Sequence, residues 1–71
     1  MKYIIEIVSP TAFGHDALSR AIVECNDLAG ARSKAIPLLE IWTKSGATHA
    51  RVLNIDGQLA GEVHLERADA A

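Results

Sequence analysis

Several things are scarce in this chain, and each scarcity limits what it can be. There is one cysteine, Cys25, so no disulfide can close within the chain. No apolar run approaches the ~20 residues that a membrane-spanning helix needs, and no membrane association is expected. Nitrogen and sulfur ligands for a metal are limited to His15, His49, His64 and Cys25. An excess of positive charge is also missing. Seven Lys and Arg stand against nine Asp and Glu, a net charge of −2. Proteins that grip nucleic acid concentrate cations on one face, so the balance weighs against nucleic acid as a partner. The opening "MKYIIEIVSP" joins a lysine to a short apolar run. Glu6 interrupts that run and no small-residue cleavage site follows, so a secretory leader is not expected. A lone thiol without an export signal fits the cytoplasm.

What is present describes a small globular chain. Of its 71 residues, 49% are hydrophobic and 23% charged, which argues against disorder. A single domain over residues 1–71 is expected, with 67–71 as a frayed tail. A chain of this size buries only about 60% of its unfolded surface. Without disulfides, its stability must come from its own core or from a second chain.

"KYIIEIVS", residues 2–9, is rich in β-branched residues and reads as a strand closed by Pro10. Tyr3, Ile5 and Ile7 share one face; Lys2, Ile4, Glu6 and Val8 share the other. Both faces are apolar enough for an interior strand. "SPTAFGHDA", residues 9–17, holds Pro10 and Gly14 and reads as a loop, with Phe13 tucked back over a core edge. Residues 18–25 fit two patterns. Leu18, Ala21, Ile22 and Cys25 have helical spacing. Alternation also works, with Ser19, Ala21, Val23 and Cys25 inward and Arg20, Ile22 and Glu24 outward. The short length and the cap that follows favour a strand.

Asn26 or Asp27 can cap a helix. Leu28, Ala31, Ala35, Leu38, Leu39 and Trp42 then form one stripe that keeps its phase across Pro37. One helix over about 27–45 is expected, kinked near 33–37, with Gly46 as its C-cap. In "ATHARVLNIDGQLAGEVHLE", the Asp56-Gly57 pair lies between alternating runs and predicts a two-residue hairpin turn. Ile55 would face Gln58, Leu53 would face Ala60, Arg51 would face Glu62, and His49 would face His64. Ala50, Val52, Leu59, Gly61, Val63 and Leu65 would share the opposite side, with Ala50 and Gly61 small enough to let the helix sit close. The fold class is therefore α+β: a four-stranded antiparallel sheet with one helix on one face, in the order β-β-α-β-β.

One helix covers one side of such a sheet. The uncovered side would carry Ile4, Glu6, Val8, Arg20, Ile22, Glu24, His49, Arg51, Leu53, Ile55, Glu62 and His64. Contiguous aliphatic residues in the open mark a contact surface. The candidate partner-binding residues are Ile4, Val8, Ile22, His49, Arg51, Leu53, Ile55, Glu62 and His64. The alternative is that the Phe13 loop or the tail covers them.

No catalytic signature accompanies this layout, and no cofactor is expected. His49 and His64 are cross-strand neighbours, but two imidazoles fall short of a zinc site and read as surface histidines. Cys25 precedes a helix N-terminus without a base or oxyanion site and reads as a packing thiol. His15 and Asp16 are adjacent and lack a defined serine. Gly57 and Gly61 have no following helix or lysine, so they do not form a phosphate loop. Arg32 and Lys34 read as a solvated face.

"DLAGARSKA" and "ARVLNIDGQLAGEVHL" resemble a family of small uncharacterised proteobacterial β-β-α-β-β proteins. Asp27, Leu28, Ala31 and Arg32 match its helix start, and Asp56 and Gly57 its turn. The resemblance implies a fold and no activity. Size and layout also resemble phage anti-CRISPR proteins of type I systems, compact domains that block a host complex by contact. "MKYII" and "AIPLLEIW" are similar to segments of a small antitoxin, without its extra strand. The function expected is a non-enzymatic protein-binding module acting through a sheet face or edge, on another protein or a second copy of itself. The alternative is a nucleic-acid-contacting regulator or antitoxin-like component.

Overall fold

The computed structural model describes residues 1–65; the expected frayed tail, 67–71, lies outside them. Four strands form one antiparallel sheet: β1 (Lys2–Thr11), β2 (Gly14–Glu24), β3 (His49–Asn54) and β4 (Leu59–His64). Their spatial order is β2-β1-β3-β4, so β1 and β3 are central. A single helix, α1 (Leu28–Trp42), runs between β2 and β3. The α+β, β-β-α-β-β reading holds.

The helix begins where its cap permits. Asp27 is extended, and its Oδ1 accepts the Gly30 N–H at 2.9 Å. Pro37 lies inside the helix, and the apolar stripe continues through it. Ala31, Ala35 and Leu39 are fully buried; Leu28, Leu38 and Trp42 pack half-buried beside them. A 3₁₀ turn over Thr43–Ser45 extends the helix, and Gly46 closes it at φ 97°, where a side chain would be strained. The Lys34 Nζ donates to the Glu24 carbonyl at 2.8 Å and ties the helix to the end of β2.

The core fills the gap between helix and sheet. Tyr3, Ile5 and Ile7 of β1 meet Ala50 and Val52 of β3, Val63 of β4, and the alanines of α1. Four alanines in this core let helix and sheet approach closely: Ala31, Ala35, Ala47 and Ala50. Gly61 is not needed for that closeness. A Cβ there would meet Leu28 and Arg32 at 3.6–3.8 Å, ordinary contact. Gly30 is the position without room, since a Cβ would come within 3.1 Å of the Cys25 Cβ. Cys25 is half-buried against the core, as a packing thiol is.

Two segments differ from the sequence expectation. Residues 9–17 are not a loop. β1 and β2 continue as a hairpin through Ser9↔Asp16, Pro10↔His15 and Thr11↔Gly14. The proline is tolerated for a geometric reason. The Val8 carbonyl accepts from Thr48 N, so Val8 turns its polar backbone toward β3. Two residues on, Pro10 points its nitrogen the same way, but β3 pairing has ended at His49↔Val8. No ladder donor is lost there. Phe13 at the tip is 102% exposed, so it covers no core edge.

The second difference is the β3–β4 turn. It spans three residues, Ile55 to Gly57, and closes on Asn54 N donating to Gln58 O at 2.8 Å. Asn54 Oδ1 accepts from both Asp56 N (3.0 Å) and Gln58 N (2.9 Å), and Gly57 takes φ 87°. The register His49↔His64 and Arg51↔Glu62 is as expected, but Leu53 pairs with Leu59 rather than Ala60. The extra residue moves Leu59 from the helix side to the open side and places Ile55 in the turn rather than on the sheet.

Candidate interaction face

The side of the sheet away from α1 is ordered in rows. Directly opposed residues in an antiparallel sheet point to the same face, so the pairings read across all four strands. The first row is Ile22–Ile4–Leu53–Leu59. The second is Arg20–Glu6–Arg51–Glu62, and the third is Ala17–Val8–His49–His64. In the third row a bulge in β2 brings Ala17 opposite Val8. An aliphatic stripe, a charged stripe and an imidazole stripe thus lie side by side.

The aliphatic row is the most open at its ends. Ile22 is 64% exposed and Leu59 53% exposed, each on an edge strand. Ile4 is half-buried between them. Leu53 and Val8 differ from the expectation of freely exposed contacts, at 7% and 3%. They sit on central strands, where longer neighbours close over them. Ile4 and Leu59 flank Leu53. His15 and His49, in edge-to-face contact with ring centroids 5.7 Å apart, lie on either side of Val8. Ile55 is exposed at the turn, off the rows. Eight of the nine expected contact residues share this face, and Ile55 is the exception. The alternation of 18–25 settles Ile22 outward, because β2 is extended there.

The charged row is internally paired. Glu6 is 6% exposed, the one buried charged side chain of the described residues. Arg20 binds its Oε2 through Nη2 and through Nε at 3.1 Å, while Arg51 Nη1 lies 3.6 Å from Oε1. Both guanidinium groups reach water, so Glu6 is charge-matched without two cations being desolvated with it.

In the imidazole row His49 and His64 stack with centroids 5.1 Å apart. The His49 Nδ1 is 2.9 Å from Thr48 Oγ1, and His64 Nε2 is 3.7 Å from Glu62 Oε1. Burial holds the His49 imidazole below its usual range. Glu62 opposes this, and His64, His15 and Arg51 add to it. The rings present stacked faces and edges rather than converging lone pairs. Among the described residues no three His, Cys, Asp or Glu side chains are grouped to hold a metal. His15 and Asp16 are successive strand residues, so they point to opposite faces and do not pair. Arg32 is exposed on α1.

Sequence reasoning missed Ala17 and His15, which it placed in a loop, and also Leu59. The signal for Leu59 was Asn54, whose side chain can bond its own backbone two residues on and favours the longer turn. No helix among the described residues is long and apolar enough to cross a membrane. Comparison with protein-family models, with curated proteins and with solved structures found no match to this chain.

Proposed function

We propose that the protein acts by contact, as a non-enzymatic binding module whose open sheet face docks on another protein surface. The observation that carries this is the unbroken aliphatic row Ile22–Ile4–Leu53–Leu59, which leaves its two outer members more than half exposed. An apolar stripe bounded by charges has the anatomy of an interface: a core that is desolvated on docking and a polar margin that sets orientation. Occlusion of a larger complex, in the manner of the compact phage inhibitors that the chain resembles in size and layout, would need only such a face and no reacting group.

The test is photo-cross-linking in cells. A photoreactive residue at Ile22 samples the open face. One at Ile41, 68% exposed on α1, samples the opposite side of the molecule. Adducts should form from position 22 and not from position 41. Adducts from position 41 alone would overturn the reading. Adducts to nucleic acid from position 22 would replace it with nucleic-acid contact.

A further inference from the structure

We infer that the occupant of the open face is a second copy of this chain, related by a two-fold axis that runs parallel to the strands between β1 and β3. The inference rests on the face being the working surface, and adds what sits on it. The argument is the order of charges. Such an axis lays each row on itself with the strand order reversed, so β2 faces the partner's β4 and β1 faces the partner's β3. The charged row reads Arg20–Glu6–Arg51–Glu62, positive, negative, positive, negative. Reversed and laid on itself, it sets Arg20 against the partner's Glu62 and lays Arg51 over the partner's Glu6, a carboxylate that two arginines of its own chain already hold. Every position meets its opposite.

The flanking rows fit the same operation. Ile22 meets the partner's Leu59, and Ile4 meets the partner's Leu53, so the aliphatic row is buried against itself. In the third row the exposed Ala17 sits opposite the partner's His64, while Val8 stays beneath the His15 and His49 rings, which form the surface presented to the partner there. Two sheets related in this way pack with nearly aligned strands, the arrangement that twisted sheets adopt face to face.

Other two-fold arrangements do worse. An axis across the strands through the charged row lays Arg20 on the partner's Arg20 and Glu6 on the partner's Glu6. Like charges in register are strongly disfavoured at an interface. Moving that axis to the aliphatic row pairs Arg20 with the partner's Glu24 and Glu6 with the partner's Lys2. It leaves Arg51 and Glu62 unmatched and the imidazole row uncovered. Only the axis parallel to the strands uses the whole face. Four strands ~4.8 Å apart and about 20 Å long give a flat footprint of roughly 400 Å² per chain. That is below the ~800 Å² per partner of a standard interface, so association should be weak and concentration-dependent.

Sedimentation of the purified chain up to millimolar concentration should show reversible dimers. Glu62→Arg should weaken them at least ten-fold, because it faces the partner's Arg20. Mixing that variant with Arg20→Glu should restore association, since the mixed pair regains opposite charges. Arg20→Glu also removes a partner of Glu6 and could unfold the chain, so a second measurement leaves the charges alone. In a Cys25→Ser background, an Ile22→Cys chain and a Leu59→Cys chain are mixed and treated with a short bis-maleimide. The mixed 22–59 product should dominate. The same-site 22–22 pair is three strand spacings apart, about 14 Å sideways, and should link poorly. Prevailing 22–22 product would overturn the axis. A strict monomer at millimolar concentration would overturn the second copy. In that event, photo-adducts from position 22 to another protein would leave the open-face reading standing; no adducts at all would remove both.

Discussion

The two faces of this sheet are built from alternating residues of the same strands, yet they solve different problems. Under the helix, Ile5, Ile7, Ala50 and Val52 are at most 1% exposed and carry no polar atom in their side chains. Shape alone decides what fits there. On the other face, Ile4, Glu6 and Val8 follow one another along β1 as aliphatic, charged and aliphatic again. Chemistry is sorted by row. Among the described residues, burial on the open face is achieved by neighbouring side chains leaning over one another, not by a second layer. The lesson is that a single sheet can hold a packed core on one side and a patterned, self-shielding surface on the other. Alternation is what lets each be chosen independently.

Three changes would break or sharpen that contrast. The largest effect belongs to the covered face. Leu39→Ala leaves a void in the core between helix and sheet and should cost about 2–5 kcal/mol, read as a lower urea midpoint with an unchanged slope. A loss under about 1 kcal/mol would mean the helix can settle onto the sheet and that its fit is loose. The middle effect belongs to the open face. Glu6→Ala removes the anion between Arg20 and Arg51 and should cost about 1–2 kcal/mol, because both cations already reach water. A cost equal to that of Leu39→Ala would mean the charged row anchors the fold as firmly as the core does.

The smallest effect is a pH dependence. The His49 imidazole binds its proton less readily in the folded chain than in the unfolded one. As pH falls below about 6.5 the unfolded state takes up a proton first, and stability is lost. The contribution is fully present above that pH and fades on going down through the lower folded value. Urea melts on both sides of pH 6.5 should show the decline, and His49→Asn should flatten it. An equal slope in the variant would place the effect on another group.

Most of the covered face was legible in the sequence. The spacing of Leu28, Ala31, Ala35, Leu38, Leu39 and Trp42 gives the buried stripe, and Asp27 gives the helix start. The pairing of Arg51 with Glu62 sets the β3–β4 register, because a slip by one residue would turn every side chain over. The open face was legible in membership and less so in detail. Leu59 was misplaced because Asp56-Gly57 is compatible with a two-residue turn, while the Asn54 side chain stabilises a three-residue one. The burial of Val8 and Leu53 depends on which residues of adjacent strands flank them, and alternation within a strand does not name those neighbours. Pro10 read as a terminator because its missing donor usually ends a ladder. Here it lies just beyond the end of the neighbouring strand, where no donor is required.

The central place of β1 also governs how the molecule can be made. Its N-terminal residues pair on one side with β2, close in sequence, and on the other with β3, so Tyr3 waits for Asn54. During synthesis the first hairpin and the helix can form early, but β1 has no second neighbour until β3 has left the ribosome. A nascent chain stopped short of β3 would present one unpaired edge of β1 with Ile5 and Ile7 beside it, a sticky fragment for chaperones and proteases to clear. Enclosure of the first strand is thus held back until the third has been made.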